Sequence, residues 1–401
     1  MNNELFVHYW QLPDNLFVSL KPEYHEKLCK TIQAKIRDNH KNCFYKILNC
    51  PKWHAQRLFN REIRFTLKEL EILRDFTEIT RDEIEINFES IGNNEDGTII
   101  KNPKLPFQLK DLVYVCAHLM FDGSYRDKRG CYFYAYEPSL VEYHKKRLSA
   151  FGEVPINFID KENQLYFSYT VGYIAKSFLE IETFKSTKCF LSEKLKKLAK
   201  GNKILVDEIV KALIVDEGRV DDKIEAELAN EKLVNGLYFL IGDYYRLNKV
   251  ASRTRTIVFK NNPKWTHTTK SSRLVFNASN FKEIYKSISP LPIDYKEEGL
   301  KFLFDRQNRK FNQRKMGETK KLIVKSLLSQ PKTMEELAKE LLVRQTTIRA
   351  HLKGHPTYKD SLISLGLVEK IDEKILRRGG YAKVVIYGIK NVMKANELIS
   401  K

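Results

Sequence analysis

Cys116-Ala117-His118-Leu119-Met120-Phe121-Asp122-Gly123 and Lys211-Ala212-Leu213-Ile214-Val215-Asp216-Glu217-Gly218 share one plan. Each is an apolar helical run that stops at an acidic residue followed by glycine. The separation of Asp122 from Glu217 suits one compact α+β unit, and the residues after each stretch repeat the same order of elements. After Asp122, a segment around Ser124 to Gly130 opens a hairpin that the strand Tyr132 to Tyr136 completes. An amphipathic helix from Pro138 to Phe151 closes at Gly152. Strands Val154 to Ile159 and Leu165 to Val171 flank a polar turn, and Ile174 to Ile181 forms a closing helix. The second stretch predicts a helix from Leu205 to Asp216, a strand Ile224 to Leu228 and a long helix Asn230 to Leu247. Strands Thr254 to Phe259 and Arg273 to Phe276 come next, then a helix Asn280 to Ile288. Both halves read as αββαββα.

An acid before glycine at a helix end has an ordinary explanation, because glycine is a common C-cap and the acid is solvated. Two copies change the weighing. A carboxylate at a helix C-terminus opposes the macrodipole. Two apolar helices packed side by side bring both acids to one end of their interface. Such a pair, completed by waters and phosphate oxygens, suits a hard divalent cation over a phosphodiester. Asp122 and Glu217 are therefore the candidate catalytic residues and the candidate ligands of Mg²⁺ or Mn²⁺. His118 reads as an interface histidine with a local hydrogen bond rather than as a ligand.

The chain has 401 residues, and its 70 Lys+Arg against 51 Asp+Glu leave a formal charge of +19. That surplus points to a polyanionic partner, most often nucleic acid, against the alternative of a merely basic or ribosome-associated protein; the winged helix and saddle read below make double-stranded DNA the expected one. No apolar run approaches the roughly 18 residues of a membrane span, and the N-terminus lacks the pattern of a secretory signal. No membrane partner is expected, and the expected location is cytoplasmic, at the nucleoid. The six cysteines form no C-x-x-C pair, so reduced buried thiols are expected rather than zinc or disulfides.

Both flanks carry helix-turn-helix patterns. In the N-terminal region a helix ends near Asn49, and Pro51 suits the start of a second helix with Ala55, Leu58 and Phe59 on one face. A third helix has Leu67, Leu70, Leu73 and Phe76 at helical spacing. This is either a plain helical bundle or a DNA-reading unit with Lys52, Trp53, His54, Gln56 and Arg57 exposed. At the other end Thr333 and Glu336 form a capping box. A turn then leads to a helix over 345–353 that presents Gln345, Thr346, Thr347, Arg349 and Lys353. A hairpin with Arg377 and Arg378 at its tip completes a winged helix-turn-helix. Arg253, Arg255, Lys260 and Lys264, in the basic strand and loop after residue 250, are further candidate DNA contacts. Residues 301–321 form a basic bridge, read either as a solvated linker helix or as a phosphate-tracking one.

The two octapeptides resemble the signature of the LAGIDADG (also written LAGLIDADG) homing endonucleases in their single-chain, two-motif, free-standing form. The resemblance covers roughly residues 110 to 290. It implies an α+β fold in which a pseudo-twofold pair of αββαββα units forms a β-saddle over the DNA major groove. It also implies metal-dependent phosphodiester hydrolysis with Asp122 and Glu217 as the ligating acids, in a monomer with internal pseudo-twofold symmetry. The domains expected are an N-terminal helical domain (1–108), repeat 1 (109–185), repeat 2 (186–295), a basic linker (296–318) and a winged helix (319–401). His118 and Leu213 depart from the small residue usual at that motif position. A LAGIDADG core followed by a helix-turn-helix is also similar to the bacterial WhiA regulators. That implies the alternative of a non-cleaving transcription regulator or architectural DNA binder on the same scaffold.

Overall fold

The computed structural model describes residues 5–36, 44–94, 98–126, 130–185, 188–258, 266–308, 317–354, 360–377 and 381–400. The chain is mixed α+β. It divides into two compact units, one of Met1–Arg219, Glu225–Asn277 and Ser287–Asp294, the other of Val220–Ile224, Ala278–Lys286 and Tyr295–Lys401.

The N-terminal region contains more than helices. β1 (Phe6–Val7), β2 (Phe17–Leu20), α1 (Pro22–Ile36), α2 (Phe44–Leu48), α3 (Lys52–Phe59), β3 (Phe65–Thr66), α4 (Leu67–Thr77) and α5 (Arg81–Glu85) are followed by β4 (Phe88–Gly92), β5 (Ile99–Lys101) and β6 (Phe107–Gln108). Strands β3-β2-β4-β5 form an antiparallel sheet, and β1 pairs with β6. The expected helical domain is thus corrected to an α+β one. These strands are only two to five residues long and their partners lie far apart in sequence, so local patterning does not announce them. The predicted second helix does start at Pro51, which is its N-cap. Thr66 and Glu69 cap α4 reciprocally.

The middle of the chain gives α6 (Leu109–Phe121), β7 (Gly123–Arg126), β8 (Gly130–Tyr134), α7 (Pro138–Leu148), β9 (Ile156–Ile159), β10 (Gln164–Phe167) and α8 (Tyr169–Phe178). After α9 (Glu193–Ala199) come α10 (Lys203–Asp216), β11 (Gly218–Val220), β12 (Ile224–Leu228), α11 (Glu231–Gly242), β13 (Leu247–Val258), β14 (Thr266–Phe276) and α12 (Phe281–Ile288). The two sheets run β7-β8-β10-β9 and β11-β12-β14-β13. In each, the fourth strand lies between the second and the third, so element order and strand order both repeat. α6 and α10 pack directly on each other. Two boundaries differ from expectation. Ser168 caps α8 and draws Thr170 and Val171 into the helix, and β13 and β14 form a longer ribbon that absorbs residues 266–272 of the expected loop.

The C-terminal elements are α13 (Asp294–Asn308), α14 (Glu318–Ser329), β15 (Lys332–Thr333), α15 (Met334–Leu341), α16 (Gln345–Lys353), β16 (Val368–Arg377), β17 (Tyr381–Ile389) and α17 (Val392–Ser400). β15-β17-β16 form a three-stranded sheet. Ile323, Val324, Leu327, Leu337, Ile348, Leu352 and Tyr387 close a separate core beneath it. α13 is no solvated linker: Leu300 and Leu303 are fully buried, and Arg306 Nη2 donates to Asp222 O at 3.0 Å.

Candidate nucleic-acid interface

α16 owes its position to the capped helix before it. The Thr333 hydroxyl accepts from Glu336 N–H and the Glu336 carboxylate from Thr333 N–H, which fixes the start of α15. α15 stops at Leu342, which adopts φ 50°, and the chain turns into α16. Ile348 and Leu352 are fully buried, whereas Gln345, Thr346, Arg349 and Lys353 are exposed and Thr347 half-buried. One face of α16 is therefore apolar and fixed, and the other offers two amide or hydroxyl groups and two cations to a groove. Arg377 ends β16. Its wing-tip neighbour Arg378 lies outside the described residues.

The acidic-ended helices meet at a polar junction. Asp122 is the C-cap of α6 and Glu217 the C-cap of α10, and both are half-buried. Asp122 Oδ2 accepts a hydrogen bond of 2.7 Å from the Tyr136 hydroxyl. His118 Nδ1 reaches Asp216 Oδ2 at 2.8 Å, a bond that crosses from α6 to α10. Burial, reinforced by Arg147, pushes the His118 ring down to about 3, so it is a neutral imidazole whose Nδ1–H donates to the carboxylate. Behind it Arg147 bridges Asp111 and Glu208, at 3.1 Å to each, and the Tyr114 hydroxyl pairs with His144 Nδ1 at 2.5 Å. Both acids offer the hard oxygens that Mg²⁺ prefers. Among the described residues there is no group of three or more His, Cys, Asp or Glu that could hold a metal ion.

Strand pairing reveals a face that motif reading missed. On the β7-β8-β10-β9 sheet, Cys131, Phe133, Leu165 and Phe167 point into the core. Ser124, Arg126, Tyr132, Tyr134, Gln164 and Tyr166 lie on the opposite side. The Arg126 guanidinium sits 5.1 Å from the Tyr132 ring centroid, and the Tyr132 and Tyr166 rings are 5.2 Å apart. The period-two alternation in Cys131-Tyr132-Phe133-Tyr134 carried this signal.

The remaining expected contacts are scattered. Lys52 and Gln56 are exposed on α3, with the Lys52 ammonium 5.2 Å from the Tyr45 ring. His54 Nε2 is held by Glu69 Oε1 at 2.8 Å, and Arg57 Nε lies 3.8 Å from Glu62 Oε2. Arg253 and Arg255 lie in β13. Lys260 and Lys264 fall outside the described residues. Five cysteines, Cys29, Cys50, Cys116, Cys131 and Cys189, are free thiols. No helix among the described residues is long and apolar enough to cross a membrane.

A capped three-helix core, an outward polar helix and a two-stranded wing define the C-terminal region as a winged helix-turn-helix of the DNA-binding class. Residues 317–370 match the family model described as bacterial regulatory protein, arsR family. No curated protein matches the chain. Among solved structures it is similar to the crystal structure of full-length DUF199/WhiA from Thermatoga maritima. That likeness has 12% identity and a TM-score of 0.31, and covers 60% of this chain and 88% of that one.

Proposed function

We propose that the chain is a sequence-specific double-stranded-DNA-binding protein with a regulatory role. The observation that carries this reading is α16: Gln345, Thr346, Arg349 and Lys353 are exposed over buried Ile348 and Leu352, within a segment similar to a bacterial regulatory family. Glutamine and arginine reach base edges, and lysine neutralises phosphate. The test is fluorescence anisotropy on a selected duplex. Arg349→Ala is expected to cost about 1–3 kcal/mol and relax preference at one base position. Lys353→Ala is expected to weaken all duplexes alike and to lower the salt slope by about one. Unchanged affinity in both variants would remove α16 from the interface.

The second reading is the LAGIDADG-type endonuclease, with the two αββαββα units as a β-saddle. Its support is that Asp122 and Glu217 cap helices that occupy the same place in two units of identical strand order, and that those helices pack together. A divalent cation, when bound there, would supply Lewis acidity and an activated water. The carboxylates of Asp122 and Glu217 would hold it, and Tyr136 would orient the first of them. Strand scission in Mg²⁺ or Mn²⁺ that disappears in Asp122→Asn and Glu217→Gln would favour this reading. Scission that persists in both variants would detach it from these acids.

A further inference from the structure

The N-terminal sheet carries a cavity of about 690 Å³, well within the range of small-molecule sites. The last turn of α3 supplies Arg57, the loop after it supplies Arg61 and Arg64, and β5 supplies Lys101. Among the described residues that line it, the acids are Glu62 and Glu89. On its floor the Ser19 and Ser90 hydroxyls lie 2.6 Å apart. Arg57 is paired with Glu62 and Arg61 with Glu89, and the lining as a whole still carries more positive than negative side chains.

The end of α3 places one of these cations. Arg61 adopts φ 59° as the residue that closes α3: its N–H donates to Leu58 O and the Glu62 N–H to Arg57 O, the left-handed ending common at helix C-termini. Its guanidinium is fixed by Leu20 O at 3.0 Å and Glu89 Oε2 at 2.7 Å. A lining of three arginines, a lysine and two hydroxyls has the chemistry that suits a tetrahedral oxyanion, which arginine binds through paired N–H donors.

We propose that this cavity binds a phosphate-type oxyanion, carried by a ligand up to nucleotide size. Two sources share that chemistry, a free phosphorylated small molecule and a phosphate of duplex DNA. The test uses the full chain, with pyrophosphate and adenosine monophosphate added against sodium chloride of equal ionic strength, read by calorimetry and thermal melting. Arg61→Gly suits the left-handed backbone and Lys101→Gln alters an exposed side chain, so both variants are expected to fold. Wild type is expected to bind a small anion and melt higher, with affinity falling about tenfold or more in each variant. If the small anions do not bind, but duplex affinity and its salt slope fall in both variants by about one phosphate contact, the oxyanion belongs to DNA. The proposal is overturned if both variants bind these anions as wild type does, or if neither small anion nor duplex responds to the cavity.

Discussion

At the residue scale the acid–glycine ending has a steric cause. A Cβ on Gly123 would stand 2.8 Å from Leu119 Cα, and one on Gly218 would stand 2.5 Å from Ile214 Cα. In both repeats the first strand folds back so tightly on its own helix that only hydrogen fits, and neither glycine needs a positive φ. Gly218→Ala is therefore expected to cost roughly 1–3 kcal/mol through overpacking, read by urea denaturation; a neutral result would contradict the close approach. His118 carries a pH signature. Its folded value of about 3 lies below the ordinary 6.5 or so, so below that pH the unfolded chain binds a proton that the folded chain refuses. Stability is fully present above about 6.5 and falls as pH drops below it, because only the unfolded chain then takes up the proton. Buried His144, likewise shifted down by burial, acts in the same direction. His118→Asn should flatten the profile, and a profile parallel to wild type would show that the ring is already charged. The sequence displayed the acids, the glycines and the odd histidine. It could not display Asp216 as the histidine's partner, because that contact joins two helices distant in the chain.

At the element scale, what was legible obeyed local rules. The capping box at Thr333, Pro51 at a helix start and the alternation in β8 all appear where residue chemistry places them. The long-range pairings were not legible. The N-terminal sheet joins β2 to β4 across the intervening helices, and its cavity exists only because that pairing brings Ser19, Ser90 and Lys101 beside Arg61. His54 is the same lesson in small: exposed by helical spacing, it is claimed by Glu69, which also caps α4. The exposed face of α16 needed no such pairing, so it could be read directly. If that face enters the groove, replacing Gln345 and Arg349 by alanine should lower specific affinity more than non-specific affinity, as competition with random-sequence duplex would show. Equal losses would assign α16 to backbone contact alone.

At the scale of the whole molecule, a basic chain joins a winged helix-turn-helix to two α+β units of one strand order and an N-terminal α+β region. On the proposed reading the charge, +19 over the full sequence, supplies non-specific attraction to a polyanion, and α16 supplies the surface that discriminates. The most direct test is selection of the full chain on a random duplex library in Mg²⁺, sequencing bound molecules intact and scoring their ends. Sequence-specific binding through α16 predicts enrichment of one intact motif, abolished by joint replacement of Gln345, Arg349 and Lys353 with alanine. Recovery of no motif, or of the same motif from the triple variant, would refute it.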